Sequence, residues 1–377
     1  MSTIPPDRGP AILFFTGGTA IRELSRQLKT LTHRSIHLTS PFDSGGSSAP
    51  LRDTFDMLAV GDIRNRITAL LDDDTATGHA FARLLEDRFA EVAVPAALRN
   101  RLAILASGKA ALVANLPRAL QDIVRADLGA FAEACPEEFD LKGASVGNLA
   151  LVGGFLRNNR DINRTLGNLT SAARIRGIIR PVAATNAHLA ALLENGKTVV
   201  GQHRITSKVG YVDSPIKELV AINNLAERMV VQVGALPLAV KLVGQADAIC
   251  YPMGSFWTSI AANLLPRGIG GAIADSKVRK IYIPSTGRDP EALGMSLSSA
   301  LEVIAAMGRH DAGPSRPLTD FVDTVILDRE RLRYQLRLDV PAVKRMGVSV
   351  IERSLSGKDM SHDPQRLATL LMQICGA

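Results

Sequence analysis

The sequence predicts an α/β protein with a Rossmann-like three-layer core, a mainly parallel sheet and an inserted helical region. Three observations predict it. A continuous apolar run, Ala11 to Phe15, stops at Thr16-Gly17-Gly18-Thr19 and leads into helix-spaced leucines. Strand-to-loop units of the same kind recur along the chain. Between Thr75 and Ala173 strand signals give way to leucine and alanine at helical spacing. A short unbroken apolar run suits a strand buried on both faces, and alternation of such strands with helices is the pattern of a doubly wound sheet.

Taken in order, AILFF is the first strand, and Ile21, Leu24, Leu28 and Leu31 mark the helix after it. IHLT is the second strand and runs into a loop that begins at Asp43. FARLLEDRFAEV, LPRALQDIVRADLGAFAEAC and GNLALVGGFLRNN read as consecutive helices, which sets residues 76–173 apart from a core of 1–75 and 174–377. Strand signals return in RGIIRPVAA and TVVGQHRIT. ADAICYPMG and KIYIPST are further strand-to-loop units, followed by helices through TSIAANLL and SLSSALEVIAAM. After the break HDAGPSRP come a strand in DFVDTVILD, a mixed segment in GVSVIERSL and a closing helix. Ser361 and Asp363 precede Pro364 there, as helix caps do.

Composition narrows the function. With 46% apolar and 21% charged residues the chain is of the soluble globular kind, and 377 residues suffice for one large core or two modest ones. Aromatics at 4% argue against a stacking platform for nucleic acid, and the +7 net charge is spread along the chain, so no nucleic-acid partner is expected. Cys135, Cys250 and Cys375 lie far apart, with neither zinc spacing nor a Cys-x-x-Cys pair, as in a reducing cytoplasm. Residues 1–10 do not read as a signal peptide, and no apolar stretch reaches membrane-spanning length. A cytoplasmic protein without a membrane partner is the expectation.

Several loops carry anion-binding chemistry. The second strand opens into Asp43, Ser44, Gly45, Gly46, Ser47 and Ser48, closed by Arg52. Glycines let backbone N–H groups approach an anion, and hydroxyls and a guanidinium donate to phosphate oxygens. A carboxylate among them holds a divalent cation or orients a hydroxyl. Thr16, Gly17, Gly18 and Thr19 follow a strand and open a helix, without the Walker or the Gly-x-Gly-x-x-Gly pattern. Asp62, Arg64 and Asn65 sit where a helix with Ile63, Ile67 and Leu70 begins; the plainer reading is Asp62 as a cap. Asn148 heads another apolar helix. Gly254, Ser255, Thr258 and Ser259 form a further glycine-hydroxyl turn beside Trp257. The seven histidines, His203 among them, show no ligand spacing and read as structural or surface residues.

Together, FTGGTAIREL, TSPFDSGGSSAPLR, GDIRNRITALL, VGNLAL, RPVAATNAHLAALLENGKTVVGQ, ADAICYPMGSFWTSIAANLL, KIYIPST and HDPQRLA resemble the superfamily that joins 2-phospho-lactate transferase (CofD) and the gluconeogenesis factor YvcK. The likeness covers almost the whole chain and is closer to the YvcK branch, with its GGSSGxLR, GDIRN and GSLYTSIxPNLL. There are departures. The family's Gly-Gly-Thr-Gly is Gly17-Gly18-Thr19-Ala20, and its Asp-Asp is Asp43-Ser44. Its Asn after the KIYI-type strand is Pro284 or Ser285, and its Gly-His is Gly143-Ala144.

The resemblance implies a homodimer that binds a nucleotide diphosphate conjugate, such as a nucleotide sugar or a GDP-linked phospho-lactate, at the carboxyl ends of a parallel sheet. In the transferase branch a deazaflavin hydroxyl attacks the phosphoryl group and a nucleoside monophosphate departs, with Mg2+ screening the charge. Asp43 would then serve as metal ligand and catalytic group, with Asp62 as its partner. The YvcK branch is instead similar to a nucleotide-sugar-binding regulator without turnover. Both readings stand at this point.

Overall fold

A computed structural model describes residues 4–206, 211–330, 334–357 and 361–376. The chain divides into two compact units, Met1–Ser44 with Gly177–Ala377, and Gly45–Arg176. The boundary drawn from the sequence was residue 75; by contacts, residues 45–75 cluster with the helical unit instead.

The first unit is built on ten strands among the described residues: β1 (Ile12–Thr16), β2 (Ile36–Thr39), β3 (Ile178–Pro181), β4 (His188–Leu193), β5 (Thr198–Val200), β6 (Ile216–Ile222), β7 (Ala248–Tyr251), β8 (Arg279–Tyr282), β9 (Thr324–Asp328) and β10 (Ser349–Arg353). Seven of them form one sheet in the order β10-β9-β8-β7-β1-β2-β3, with every neighbour parallel. This is the expected α/β Rossmann-like fold. β1 lies inside the sheet, paired as Phe14↔His37 on one side and Phe14↔Cys250 on the other.

All five β1 residues are buried because both faces of the sheet are covered. Alternation sends Leu13 and Phe15 to one core, and Ile12 and Phe14 to the other. Ile12 and Phe14 meet Leu24 and Leu28 of the helix Arg22–Leu28, and Leu367 and Leu371 of the helix Pro364–Ile374. The latter helix starts as the sequence predicts, with the Asp363 carboxylate accepting from the Arg366 N–H at 2.9 Å. The opposite core takes Ala239, Ile273, Ala300, Leu301 and Ile304 from three further helices.

A second sheet, β5-β4-β6, is antiparallel and was not anticipated. Its β4–β5 turn uses Asn195-Gly196, with Gly196 at φ +84°, the short hairpin signal that the sequence held in LENGKT. TVVGQHRIT accordingly splits into β5 and a short helix, Gln202–Ile205.

The second unit, Gly45–Arg176, is helical, with Ser48–Phe55, Gly61–Leu70, Ala76–Glu86, Pro95–Ser107, Arg118–Ala134, Val146–Arg157 and Ile162–Ala172 as its main helices. Chain order places it between β2 and β3, two parallel neighbours that require a crossover. Arg118–Ala134 and Val146–Arg157 pack closely through the Gly153-Gly154 pair. A Cβ on Gly153 would lie 1.8 Å from the Asp127 carbonyl oxygen. Asp127 is buried and accepts from Arg157 at 2.7 and 2.9 Å. Burial raises its carboxyl above the ordinary range, and Arg157 opposes that shift. No described helix is long and apolar enough to cross a membrane.

Gly153→Ala should force these two helices apart and destabilise the unit by about 1–3 kcal/mol. A urea midpoint followed by circular dichroism tests this, and an unchanged midpoint would contradict the packing described.

Candidate functional site

In the first unit, the loops that leave the carboxyl ends of β1 and β7 meet. They enclose a cleft of 260 Å³ lined by Thr16 to Ile21, Pro252 to Ser255, Ser259 and Ile260, with Gln202 and Thr206 on one side. Neighbouring parallel strands make this so, because their carboxyl ends share one edge. Of the predicted residues, Thr16, Gly17, Gly18, Thr19, Gly254, Ser255 and Ser259 are brought together here.

The local chemistry explains the glycines. A Cβ on Gly17 would sit 2.2 Å from Ser259 Oγ, so only a bare α-carbon lets the two loops approach this closely. Gly254 has φ +155°, a backbone conformation that L side chains rarely adopt. The helix after the first loop begins only at Arg22, so loop backbone borders the cleft rather than a long helix axis. Buried Asn263 donates to Thr16 O at 3.0 Å and to Ser259 O at 2.5 Å, tying the end of β1 to the turn after β7.

Thr258 does not join this group, contrary to the expectation. The segment Phe256–Ala261 is a π-helical turn whose amino end is already occupied by two buried carboxylates. Asp289 accepts from the Phe256 N–H at 2.9 Å. Glu291 accepts from the Trp257 and Thr258 N–H groups at 2.8 Å each, and from Thr258 Oγ1 at 2.6 Å. The acceptors that this helix start needs are therefore the protein's own. Thr258 turns inward to meet it, and Ser255 and Ser259 remain on the cleft side.

Asp43 and Ser44 end the first unit's opening segment. Ser44 is buried, and its Oγ accepts from the His203 N–H at 3.1 Å and lies 3.0 Å from His203 Nδ1. The Ser44 N–H points to Gln202 Oε1 at 3.4 Å, and Gln202 lines the cleft. His203, read from the sequence as merely structural or surface, thus holds the residue that follows Asp43. Asp43 itself is partly exposed.

The second unit gathers another set of the predicted residues. Asn148 Nδ2 donates to Ser47 Oγ at 3.0 Å, joining the amino ends of Val146–Arg157 and Ser48–Phe55. Arg64 passes over Gly147, where a Cβ would lie 3.0 Å from its Cδ, and donates to Asn65 Oδ1 at 2.9 Å. Asn148 is 1% exposed, and its Oδ1 is buried with no partner among the described residues. Gly45 and Gly46 precede this cluster, and Gly46 takes φ +49° with open space around its α-carbon. Ser48 and Arg52 are buried along the helix Ser48–Phe55, and Asp62 sits in the first turn of Gly61–Leu70.

The residues that sequence reasoning missed are Gln202, His203, Thr206, Asn263, Asp289 and Glu291. Asn263 stood in the quoted SIAANLL, and Gln202, His203 and Thr206 in GQHRIT. For Asp289 and Glu291, the RDPEA segment offered no more than a turn.

The match to known proteins is broad. The family model described as 2-phospho-L-lactate transferase CofD matches residues 12–356. The gluconeogenesis factor of Bacillus subtilis is 25% identical over 97% of this chain and 98% of its own. That of Listeria innocua is 27% identical over 73% of this chain and 66% of its own. In fold, the crystal structure of a UPF0052 family member from Bacillus halodurans superposes with a TM-score of 0.69 at 22% identity, covering 97% of this chain and 99% of that one.

Glu291 supplies a pH test of the inner carboxylate site. Burial and the neighbouring Asp289 raise its carboxyl from 4.5 to about 8. Between those values the folded state holds the proton that the unfolded state has lost, so stability falls as pH rises toward 8. His362, which burial pushes down to about 4, acts in the opposite sense below its ordinary 6.5. The melting temperature should therefore fall between pH 6.5 and 8, and Glu291→Gln should flatten that limb. Scanning calorimetry across the range decides it; a wild-type curve that is flat there would refute the assignment.

Proposed function

The chain belongs to the CofD family, and from that premise we propose that it binds a nucleotide diphosphate conjugate and transfers a phospho-containing group from it to a hydroxyl acceptor. The observation that carries the reading is the joint cleft of the Thr16–Thr19 loop with Gly254, Ser255 and Ser259, backbone and hydroxyl donors at the carboxyl ends of adjacent parallel strands. In this reading the Thr16–Thr19 loop and both serines take phosphate oxygens.

Asp43 is the proposed magnesium ligand. Among the described residues no three His, Cys, Asp or Glu side chains group to hold a metal. Magnesium is commonly held by one or two carboxylates with ligand phosphates and water. When bound, it would screen the phosphate charge. Asp43 would orient the acceptor hydroxyl. Transfer then rests on positioning and charge stabilisation.

A second reading, ligand sensing without turnover, draws on Ser44. It stands where the family has a second carboxylate, and its hydroxyl is engaged by His203.

Thermal-shift titration with UDP-sugars and GDP conjugates, with and without magnesium, tests binding. Stabilisation is expected. Gly17→Ala should weaken it roughly a hundredfold, close to 3 kcal/mol. No response to any nucleotide would refute the binding reading. Asp43→Asn should remove the magnesium-dependent part, and release of nucleoside monophosphate on adding a hydroxyl acceptor separates transfer from sensing.

A further inference from the structure

A second pocket lies apart from the anion cleft in the lining residues it uses. It measures 340 Å³ and is walled by β6, by the segment Val230 to Val233, by Leu264 and Leu265, and by one stripe of the helix Leu297–Ala312. That helix buries Leu297, Ala300, Leu301, Ile304, Ala305 and Gly308 in the core of the first unit. Val303, Ala306, Met307 and His310, spaced i, i+3, i+4 and i+7, form another face, and all four line the pocket. Folding thus uses one apolar face of this helix and leaves a second lining a cavity.

The rim adds a sign. Lys217, Arg267 and His310 border the pocket against the single carboxylate of Glu218. Among the described residues none of these four side chains takes part in an ion pair, and Arg267 donates instead to the neutral Gln232 amide at 3.0 Å. In the wall stands Trp257, 3% exposed, whose indole N–H is buried without an acceptor. An apolar hollow edged by the unpaired cations of Lys217 and Arg267 is complementary to one class of molecule.

We propose that this pocket binds a small organic anion, its apolar body against the Val303/Ala306/Met307 stripe and its carboxylate or sulfonate at Lys217, Arg267 and His310. The proposal is independent of nucleotide binding, because no residue of the anion cleft takes part.

The probe is anilinonaphthalene sulfonate, an apolar body with a fixed negative charge, and Trp257 is the single tryptophan and so a built-in energy donor. The whole chain should bind it with one-to-one stoichiometry, quench Trp257 and release it to decanoate. Ala306→Phe, at an exposed helix position, fills the hollow and should weaken binding roughly tenfold or more. Lys217→Glu with Arg267→Glu should do the same to the sulfonate while sparing an uncharged dye such as Nile red. If Ala306→Phe fails to fold, the rim variant decides alone. Absence of binding, binding unchanged in the variants, or dye fluorescence that rises only as cooperative melting is lost would overturn the proposal. So would sedimentation showing a dimer that Ala306→Phe dissociates, which would assign the face to a second copy of the chain.

Discussion

The burial of β1 between β2 and β7 is the constraint from which the rest follows. A strand covered on both faces and paired on both edges has no freedom of register, because a slip of one residue would exchange Leu13 and Phe15 with Ile12 and Phe14 between two different cores. Parallel pairing then sends the chain out of β1 and β7 on the same edge. The glycine at 17 and the serine at 259 meet because of that alignment, and Asn263 secures it from below with two hydrogen bonds.

The turn after β7 shows how one stretch serves both stability and a site. Its free N–H groups need acceptors, and Asp289 and Glu291 provide them from within the fold. Three hydrogen bonds to a fully buried carboxyl offset much of its desolvation, though not all, which is why the Glu291 proton is held so firmly. The wider π-helical winding divides its hydroxyls, Thr258 facing the carboxylate and Ser259 facing Gly17.

Much of this was legible in the sequence. The apolar run at 11–15, the glycine turns and the leucine spacing sufficed for the parallel α/β core, the helical region and the main loops. The two glycine loops that meet in the cleft were both marked by their residue types. What could not be read was set by contacts distant in sequence. Glu291 reaches Thr258 and His203 reaches Ser44 only through tertiary packing, and nothing local to either pair announces it. The antiparallel β4 escaped because HLAALL has no alternating pattern, with nearly all of it buried. The boundary near residue 45 escaped because Gly45 to Ser48 looks like a continuation of a strand-end loop, whereas its contacts fall with helices that come later.

The order of the strands also bears on how the chain comes to be folded as it is made. β1 leaves the ribosome well before its partner β7, which begins at Ala248, and β3 beside β2 follows the whole of Gly45–Arg176. The helical unit, with its shorter-range contacts, is complete well before the sheet around β1 can close. Until β7 is made, the AILFF strand waits with one edge open, and it is during that interval that the newborn protein depends most on being kept from its neighbours.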